Sequence, residues 1–197
     1  GVSKDYTVNV VETPATTDKD LLTYKVDSYV GTLSGSTYTV AVPAEISLVD
    51  VKPEFTVSEN AKAFIGSTEQ TSKETVVDLS SGATYKIVAQ DNSEKNYTIA
   101  IDKQVSSITA LSFNELNPLR VGTIDQVAKT IDVSFFNGTD LETLVPTFTL
   151  SNSFVKLYIG STQIVSGETE IDLTSGTATL DLKVGSIIVA TYTLTVQ

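Results

Sequence analysis

The amino-acid sequence predicts an all-β protein. Apolar and polar residues alternate along most of the chain, most clearly in the segments 6–10, 38–42, 97–101, 130–135 and 192–196. A period of two places alternate side chains on one face of a strand, and the β-branched and aromatic residues in these segments suit a half-buried pleated surface. Clusters of Gly, Asn, Asp and Ser between the segments supply the residues that tight turns need.

An internal repeat predicts that the chain forms two domains. The segment 53–58 recurs as 146–151, a shift of 93 residues (146 − 53). Three further segments recur in the same order with shifts of 94 (172 − 78) or 95 (192 − 97). A repeat of this length is a whole small domain. We therefore predict two tandem immunoglobulin-like β-sandwich domains of about seven strands each.

The repeat also predicts where the domains begin and end. Domain one is assigned to residues 1–102 and domain two to residues 103–197, with a short linker at 103–106. The segment 4–10 matches the closing strand of each repeat. Residues 1–12 are therefore interpreted as an extra strand, which is either the last strand of a preceding module or the first strand of this one.

The composition excludes most catalytic chemistry. The chain has no His, Cys, Met or Trp. Without histidine there is no Ser-His-Asp triad, and without cysteine there is neither a thiol nucleophile nor a disulfide framework. Two carboxylates could still hydrolyse a glycoside, but no pair stands out among the 24 acidic residues. We therefore predict no enzymatic activity.

The charge balance disfavours anionic partners. Thirteen basic and 24 acidic residues give a net charge of −11, a field that repels nucleic-acid phosphates and anionic lipid headgroups. No apolar run approaches the roughly 18 residues of a spanning helix. We expect a soluble protein that binds no nucleic acid and meets the membrane only through a lipid anchor, removed together with a leader ahead of Gly1.

Calcium is the one cofactor that the sequence leaves open, although it does not predict it. The weak candidates are Asp91 and Asn92 at a hairpin tip and Asp102 near the linker. No Asp-x-Asp-x-Asp loop is present in the chain. Asp91 and Asn92 are more simply interpreted as a turn whose side chains cap nearby backbone N–H groups. We therefore predict no metal site and no cofactor.

Aromatic residues at repeated positions are predicted to lie in the core or at its corners, because they follow the strand pattern. They are Tyr6, Tyr38, Phe55, Phe64, Tyr97, Phe148, Tyr158 and Tyr192.

Aromatic residues outside the repeat are candidate ligand contacts. Phe136 follows Phe135, and in a regular strand one of two neighbouring rings faces away from the core. A sugar is recognised by an aromatic surface with amide and carboxylate groups beside it, a role left to Tyr and Phe when Trp is absent. The candidate ligand-binding residues are Tyr29, Phe136, Asn137 and Asp140. The alternative is that these residues pack against the other domain.

The closing motifs resemble known bacterial surface domains. The segment 88–101 resembles the ending of cadherin-like β-sandwich repeats, and the order of 42–43, 53–58 and 77–79 is similar to a domain of unknown function in surface lipoproteins of gut Bacteroidetes. Domain two departs from the pattern at 182–186, where the Asp-Gly hairpin is replaced. The resemblance implies an exported, lipid-anchored cell-surface protein used in glycan capture or adhesion, without catalytic residues.

Three functions are compatible with these observations. The favoured one is a non-catalytic cell-surface module that binds a glycan or a protein as a monomer. The alternatives are a purely structural spacer and a small carboxylate glycosidase. A binding module should expose aromatic rings beside Asn and Asp, a spacer should have uniformly polar faces, and a glycosidase needs two carboxylates about 5 to 10 Å apart in a cleft.

Overall fold

The computed structural model describes residues 3–4 and 14–197, and these residues form β-strands and turns without a helix. They build two sandwich-like domains, each with one three-stranded and one six-stranded sheet. The prediction of an all-β fold with two sandwich domains is therefore confirmed. No helix that could cross a membrane occurs in the described part of the chain. The extra strand predicted within 1–12, including Tyr6, lies outside the described residues apart from positions 3 and 4.

The described part of domain one contains nine strand segments. They are β1 (Leu21–Val26), β2 (Tyr29–Val30), β3 (Thr32–Ser34), β4 (Thr37–Pro43), β5 (Glu54–Val57), β6 (Lys62–Ile65), β7 (Thr68–Gln70), β8 (Ala83–Val88) and β9 (Glu94–Gln104). The small sheet has the order β2-β1-β5 and the large sheet has the order β3-β4-β9-β8-β6-β7. The segments outnumber the seven predicted strands partly because one run breaks at Gly31, where the chain passes from the small sheet to the large one.

Domain two has nine strand segments as well. They are β10 (Ile108–Phe113), β11 (Arg120–Val121), β12 (Thr123–Asp125), β13 (Thr130–Val133), β14 (Thr147–Leu150), β15 (Lys156–Ile159), β16 (Thr162–Ile164), β17 (Thr177–Val184) and β18 (Ile187–Val196). The orders are β11-β10-β14 and β12-β13-β18-β17-β15-β16. The strand order of domain one thus recurs in domain two.

The large sheet of domain two is mixed rather than antiparallel. β13 and β18 run parallel, with Ile131 opposite Leu194, whereas β17 pairs with β18 in the antiparallel sense. A period of two in the sequence is the same for both directions, so alternation alone could not indicate this pairing. The parallel pair places the last strand inside the sheet, between β13 and β17.

The chain divides into two compact units. One contains the described residues up to Val40 together with Leu48–Ile101, and the other contains Ala41–Ser47 and Asp102–Gln197. The boundary between residues 102 and 103 stays a prediction.

The core of domain two follows the alternation of its strands. Leu180 and Leu182 on β17, and Tyr192 and Leu194 on β18, are each at most 1% exposed. Removing one such side chain from water contributes about 1.5–3 kcal/mol to the stability of the folded state. This core packs the large sheet of domain two onto the small one.

The core of domain one is rich in tyrosine. The ring of Tyr85 lies 5.3 Å from that of Tyr24 and 5.5 Å from that of Phe55, both in edge-on geometry. Tyr38 and Tyr97 are also buried, as are Phe55 and, in domain two, Tyr192. For these four residues, Tyr38, Phe55, Tyr97 and Tyr192, the prediction of a core or corner position is confirmed.

Candidate functional site

Phe136 is presented to solvent by the loop that follows β13. The neighbouring ring of Phe135 lies 5.3 Å from the buried ring of Phe113, whereas Phe136 is 58% exposed. The two consecutive rings therefore occupy different environments, one at the core and one in solvent. One ring of the pair faces away from the core, as the sequence predicted.

Arg120, the single arginine of the chain, lies against the Phe136 ring. Its guanidinium carbon is 3.5 Å from the centre of the ring. A guanidinium over an aromatic face contributes about 0.5–2 kcal/mol, depending on how far it is removed from water. The Nη2 atom of Arg120 is buried and has no hydrogen-bond partner. The ring therefore holds Arg120 at the start of β11, where no described carboxylate pairs with it.

Hydrogen bonds within the loop fix its shape. The backbone carbonyl of Phe136 accepts from Thr139 Oγ1 at 2.8 Å and from the Thr139 N–H at 3.1 Å. Asp140 Oδ1 accepts from the N–H of Glu142 at 2.9 Å, and its second oxygen is not hydrogen-bonded to another described residue. The exposed side chain of Asn137 makes no hydrogen bond to another described residue. We call Arg120, Phe136, Asn137 and Asp140 the Phe136 platform.

The segment before Arg120 supports the platform. Glu115 Oε1 accepts from the N–H of Val145 at 2.9 Å, a bond that joins the loop after β10 to the loop after β13. The loop that precedes Arg120 and the loop that carries Phe136 are therefore joined by a hydrogen bond. Arg120 was not among the ligand contacts predicted from the sequence, although its rarity, one arginine beside 12 lysines, is a signal that could have indicated it.

Tyr29, the fourth predicted ligand contact, belongs to domain one. It opens β2 and pairs with Val26 of β1. Burial, with a smaller contribution from the charge of Asp27, raises the pKa of its hydroxyl. The structure brings Phe136, Asn137 and Asp140 together in one loop and leaves Tyr29 outside that loop.

The weak calcium candidates are engaged in local hydrogen bonds. Asp91 Oδ1 accepts from Ser93 N at 2.9 Å and from Ser93 Oγ at 2.6 Å, and these bonds lower the pKa of Asp91. Asn92 adopts a positive φ of 66°, and Asp102 Oδ2 accepts from Gln104 Nε2 at 2.6 Å. This geometry matches the turn interpretation of Asp91 and Asn92. Among the described residues no group of three acidic side chains is arranged to hold a metal ion.

Two aromatic residues predicted to lie in the core face the opposite way. Phe64 follows Ala63, which is 2% exposed, and Tyr158 follows Leu157, which is 1% exposed. Alternation therefore directs both rings to the outer face of their sheet, where Lys86 Nζ lies 5.9 Å from the Phe64 ring. The core prediction was wrong for these two residues because the repeat indicates equivalent positions but not which face they occupy.

The comparisons with known proteins concern domain two most directly. Residues 108–196 match a family model described as SGBP, N-terminal, which covers 89 (196 − 108 + 1) of the 197 residues. A search of curated proteins found no match.

One solved structure, from Bacteroides thetaiotaomicron and described provisionally as a glycoside hydrolase, is 14% identical with a TM-score of 0.38. The alignment covers 88% of this chain and 47% of that one, so the chain spans about half the length of the structure it matches. A likeness this distant carries no argument about function.

The cadherin-like part of the resemblance stays a prediction. The match of residues 108–196 supports a surface-protein domain family of the kind that the closing motifs indicated.

Proposed function

We propose that this chain is a non-catalytic glycan-binding module of a bacterial cell-surface protein, and that the Phe136 platform contacts the sugar. The observation that carries the proposal is the exposed ring of Phe136, held by Arg120 beside the exposed amide of Asn137. The match of domain two to a family associated with glycan binding at the surface of Bacteroidetes supports the ligand class.

The platform combines the two kinds of contact that a sugar ring needs. The C–H groups on one face of a pyranose pack on an aromatic ring, and its hydroxyl groups bind amide, carboxylate or guanidinium groups placed around that ring. Asn137 offers a donor and an acceptor, and Asp140 retains an acceptor oxygen. Because Arg120 is already stacked on Phe136, less side-chain freedom is lost when a ligand binds.

The glycosidase alternative is less well supported. Glu170 and Asp172 line one depression of about 250 Å³ on domain two. Asp172 Oδ1 accepts from Thr174 N at 2.8 Å and from Thr174 Oγ1 at 2.6 Å, and these bonds lower its pKa. A general acid needs a raised pKa, so Asp172 is poorly suited to protonate a leaving group.

The proposal also includes how the protein is attached to the cell and how its two domains arose. The sequence resemblance supports a lipid anchor in the outer membrane, and the equal strand order of the two domains supports their origin by duplication.

The chain acts as a monomer in this proposal. Light scattering after size exclusion tests that state, and a mass above that of one chain would contradict it.

Replacing Phe136 with alanine is expected to weaken glycan binding at least tenfold, equivalent to about 1.4 kcal/mol, because the stacking surface is removed. The fold should persist, since the ring is 58% exposed. A glycan array identifies a ligand for the wild-type chain, and titration calorimetry measures its affinity in the variant.

Val127→Ala is the matched control, because Val127 is an apolar residue of domain two that is 95% exposed. It should bind as the wild-type chain does. A wild-type chain that binds no glycan would support the spacer alternative, and unchanged binding by Phe136→Ala would remove the platform from the proposal.

A further inference from the structure

We infer that domain one carries a separate binding site for a neutral sugar, in the groove between the β5–β6 turn and the β8–β9 turn. The groove has a volume of about 400 Å³, the largest among the four depressions described on this chain. The inference rests on the proposed function for its ligand class, but it uses neither Phe136 nor domain two. Its lining residues include Asn60, Lys62, Phe64, Val88, Gln90 and Asn92.

The floor of the groove is apolar. Phe64 on β6 faces outward beside Val88 of β8, which pairs with Lys62. Lys86, whose Nζ is 5.9 Å from the Phe64 ring, is itself bound to Glu94 Oε1 at 2.9 Å. The ring therefore offers a surface on which the C–H face of a pyranose can pack.

Amide groups form the walls. Asn60 and Asn92 have φ values of 62° and 66°, the left-handed conformation that asparagine tolerates better than most residues. Turn geometry accounts for the backbone of both residues but makes no use of their amides. Both side chains are exposed, and neither is hydrogen-bonded to another described residue. Two amides are thus held at the rim of the groove.

A third amide has a defined orientation. Gln90 Oε1 accepts from the N–H of Thr16 at 3.1 Å, which leaves the Nε2 group as the free end of the side chain. Nε2 has no partner among the residues that the structure describes, and it offers two N–H donors. A held amide of this kind binds a hydroxyl group with little further loss of freedom.

The charges of the groove indicate a neutral ligand. Among the described residues that line the groove, Lys62 alone has an ionisable side chain. Its Nζ is 3.1 Å from Glu69 Oε2. A carboxylate or sulfate on the ligand would meet no unpaired cation there. Aromatic floor, amide rim and paired charge together suit an uncharged pyranose, and a volume of about 400 Å³ lies at the lower end of the range for ligand pockets.

Nuclear magnetic resonance of the complete chain tests the inference residue by residue. The probes are neutral hexasaccharides of glucose, xylose and mannose, each titrated into the ¹⁵N-labelled protein. We expect chemical-shift changes at residues 60, 64, 90 and 92 with at least one probe. Phe64→Ala should weaken that binding at least fivefold while leaving any changes at residues 136–140 intact.

Asn92→Gly is the second variant, because glycine keeps the positive φ and removes only the amide. It should weaken binding at this groove about threefold or more without unfolding the domain. Changes confined to residues 136–140 would overturn this inference and leave the proposed function standing. Changes confined to the groove would support the inference and remove the Phe136 platform, and no changes at either place would overturn both.

Discussion

Replacing Gly82 with alanine is expected to destabilise domain one by about 3 kcal/mol, more than any surface substitution of similar size. Gly82 closes the turn before β8 with a φ of 75°, which is unfavourable for a residue that has a Cβ. An added Cβ would also overlap the backbone carbonyl oxygen of Ile99 in β9. A backbone atom inside a sheet cannot move aside without disturbing the pairing of β8 with β9, so the substitution carries two separate penalties.

Gly176→Ala separates these two penalties. Gly176 occupies the corresponding turn before β17 with a φ of 81°, and a Cβ there would meet no atom within 4 Å. We expect that variant to lose only the conformational term, about 1–2 kcal/mol. Native-state hydrogen exchange measures each domain separately, which suits a protein of two domains whose unfolding need not be a single transition. Equal losses in both variants would contradict the overlap at Ile99.

The same turns show how far local patterns predict this fold. Asp78 and Asp172 each begin a turn that ends in a glycine, and the sequence alone indicated both turns. The inward positions of β17 and β18 could be predicted because a buried face repeats every second residue. Such features depend on neighbours along the chain.

Features that depend on distant partners were predicted less well. The parallel pairing of β13 with β18 leaves no mark in either strand, because alternation is the same in both directions. Phe64 and Tyr158 were assigned to the core from their equivalent positions, although the alternation of buried Ala63 and Leu157 would have placed both rings outside. The face of a strand is therefore better judged from its neighbours than from the repeat.

The candidate site divides along the same line. Neighbouring residues of a strand point to opposite faces, so Phe135 and Phe136 could not both enter the core. An outward ring at this pair could therefore be expected. Its contact with Arg120, 16 residues earlier in the chain (136 − 120), depends on how β11 and the loop after β13 meet. No local pattern encodes that distance. Loops held by a rigid scaffold are where binding residues of such folds concentrate.

Domain one is expected to lose stability steeply above pH 10, because a hydrogen-bonded pair of tyrosine hydroxyls lies away from water in its core. Tyr24 OH donates to Tyr85 OH at 3.3 Å, and the two residues are at most 1% exposed. Burial is the main cause that raises the pKa of both groups above the ordinary value of 10.0. An ionised phenolate in this pair would be buried away from solvent, and no cation of the described residues is paired with it.

The direction of the pH effect follows from the raised pKa. Below pH 10 both hydroxyls are protonated in the folded and the unfolded chain, so their contribution to stability is fully present. Above pH 10 the unfolded chain releases these protons while the folded core retains them, which favours unfolding. Each group costs up to about 1.4 kcal/mol per pH unit, so the pair should lower the free energy of unfolding by about 2–3 kcal/mol at pH 11.

Phenylalanine substitutions distinguish this mechanism from general alkaline repulsion in a chain of net charge −11. Tyr24→Phe removes one titrating group of the pair. The loss of stability between pH 10 and pH 11 that is due to the pair should therefore be about half as large in this variant as in the wild-type chain. At pH 7 the substitution should cost only about 1 kcal/mol, because Tyr85 loses one hydrogen-bond donor. Urea unfolding followed by hydrogen exchange gives the free energy of unfolding of domain one at each pH, for the wild-type chain and for the variant. If wild-type and Tyr24→Phe chains lost stability in parallel above pH 10, the buried pair could not be the cause, since only one of them retains both hydroxyls.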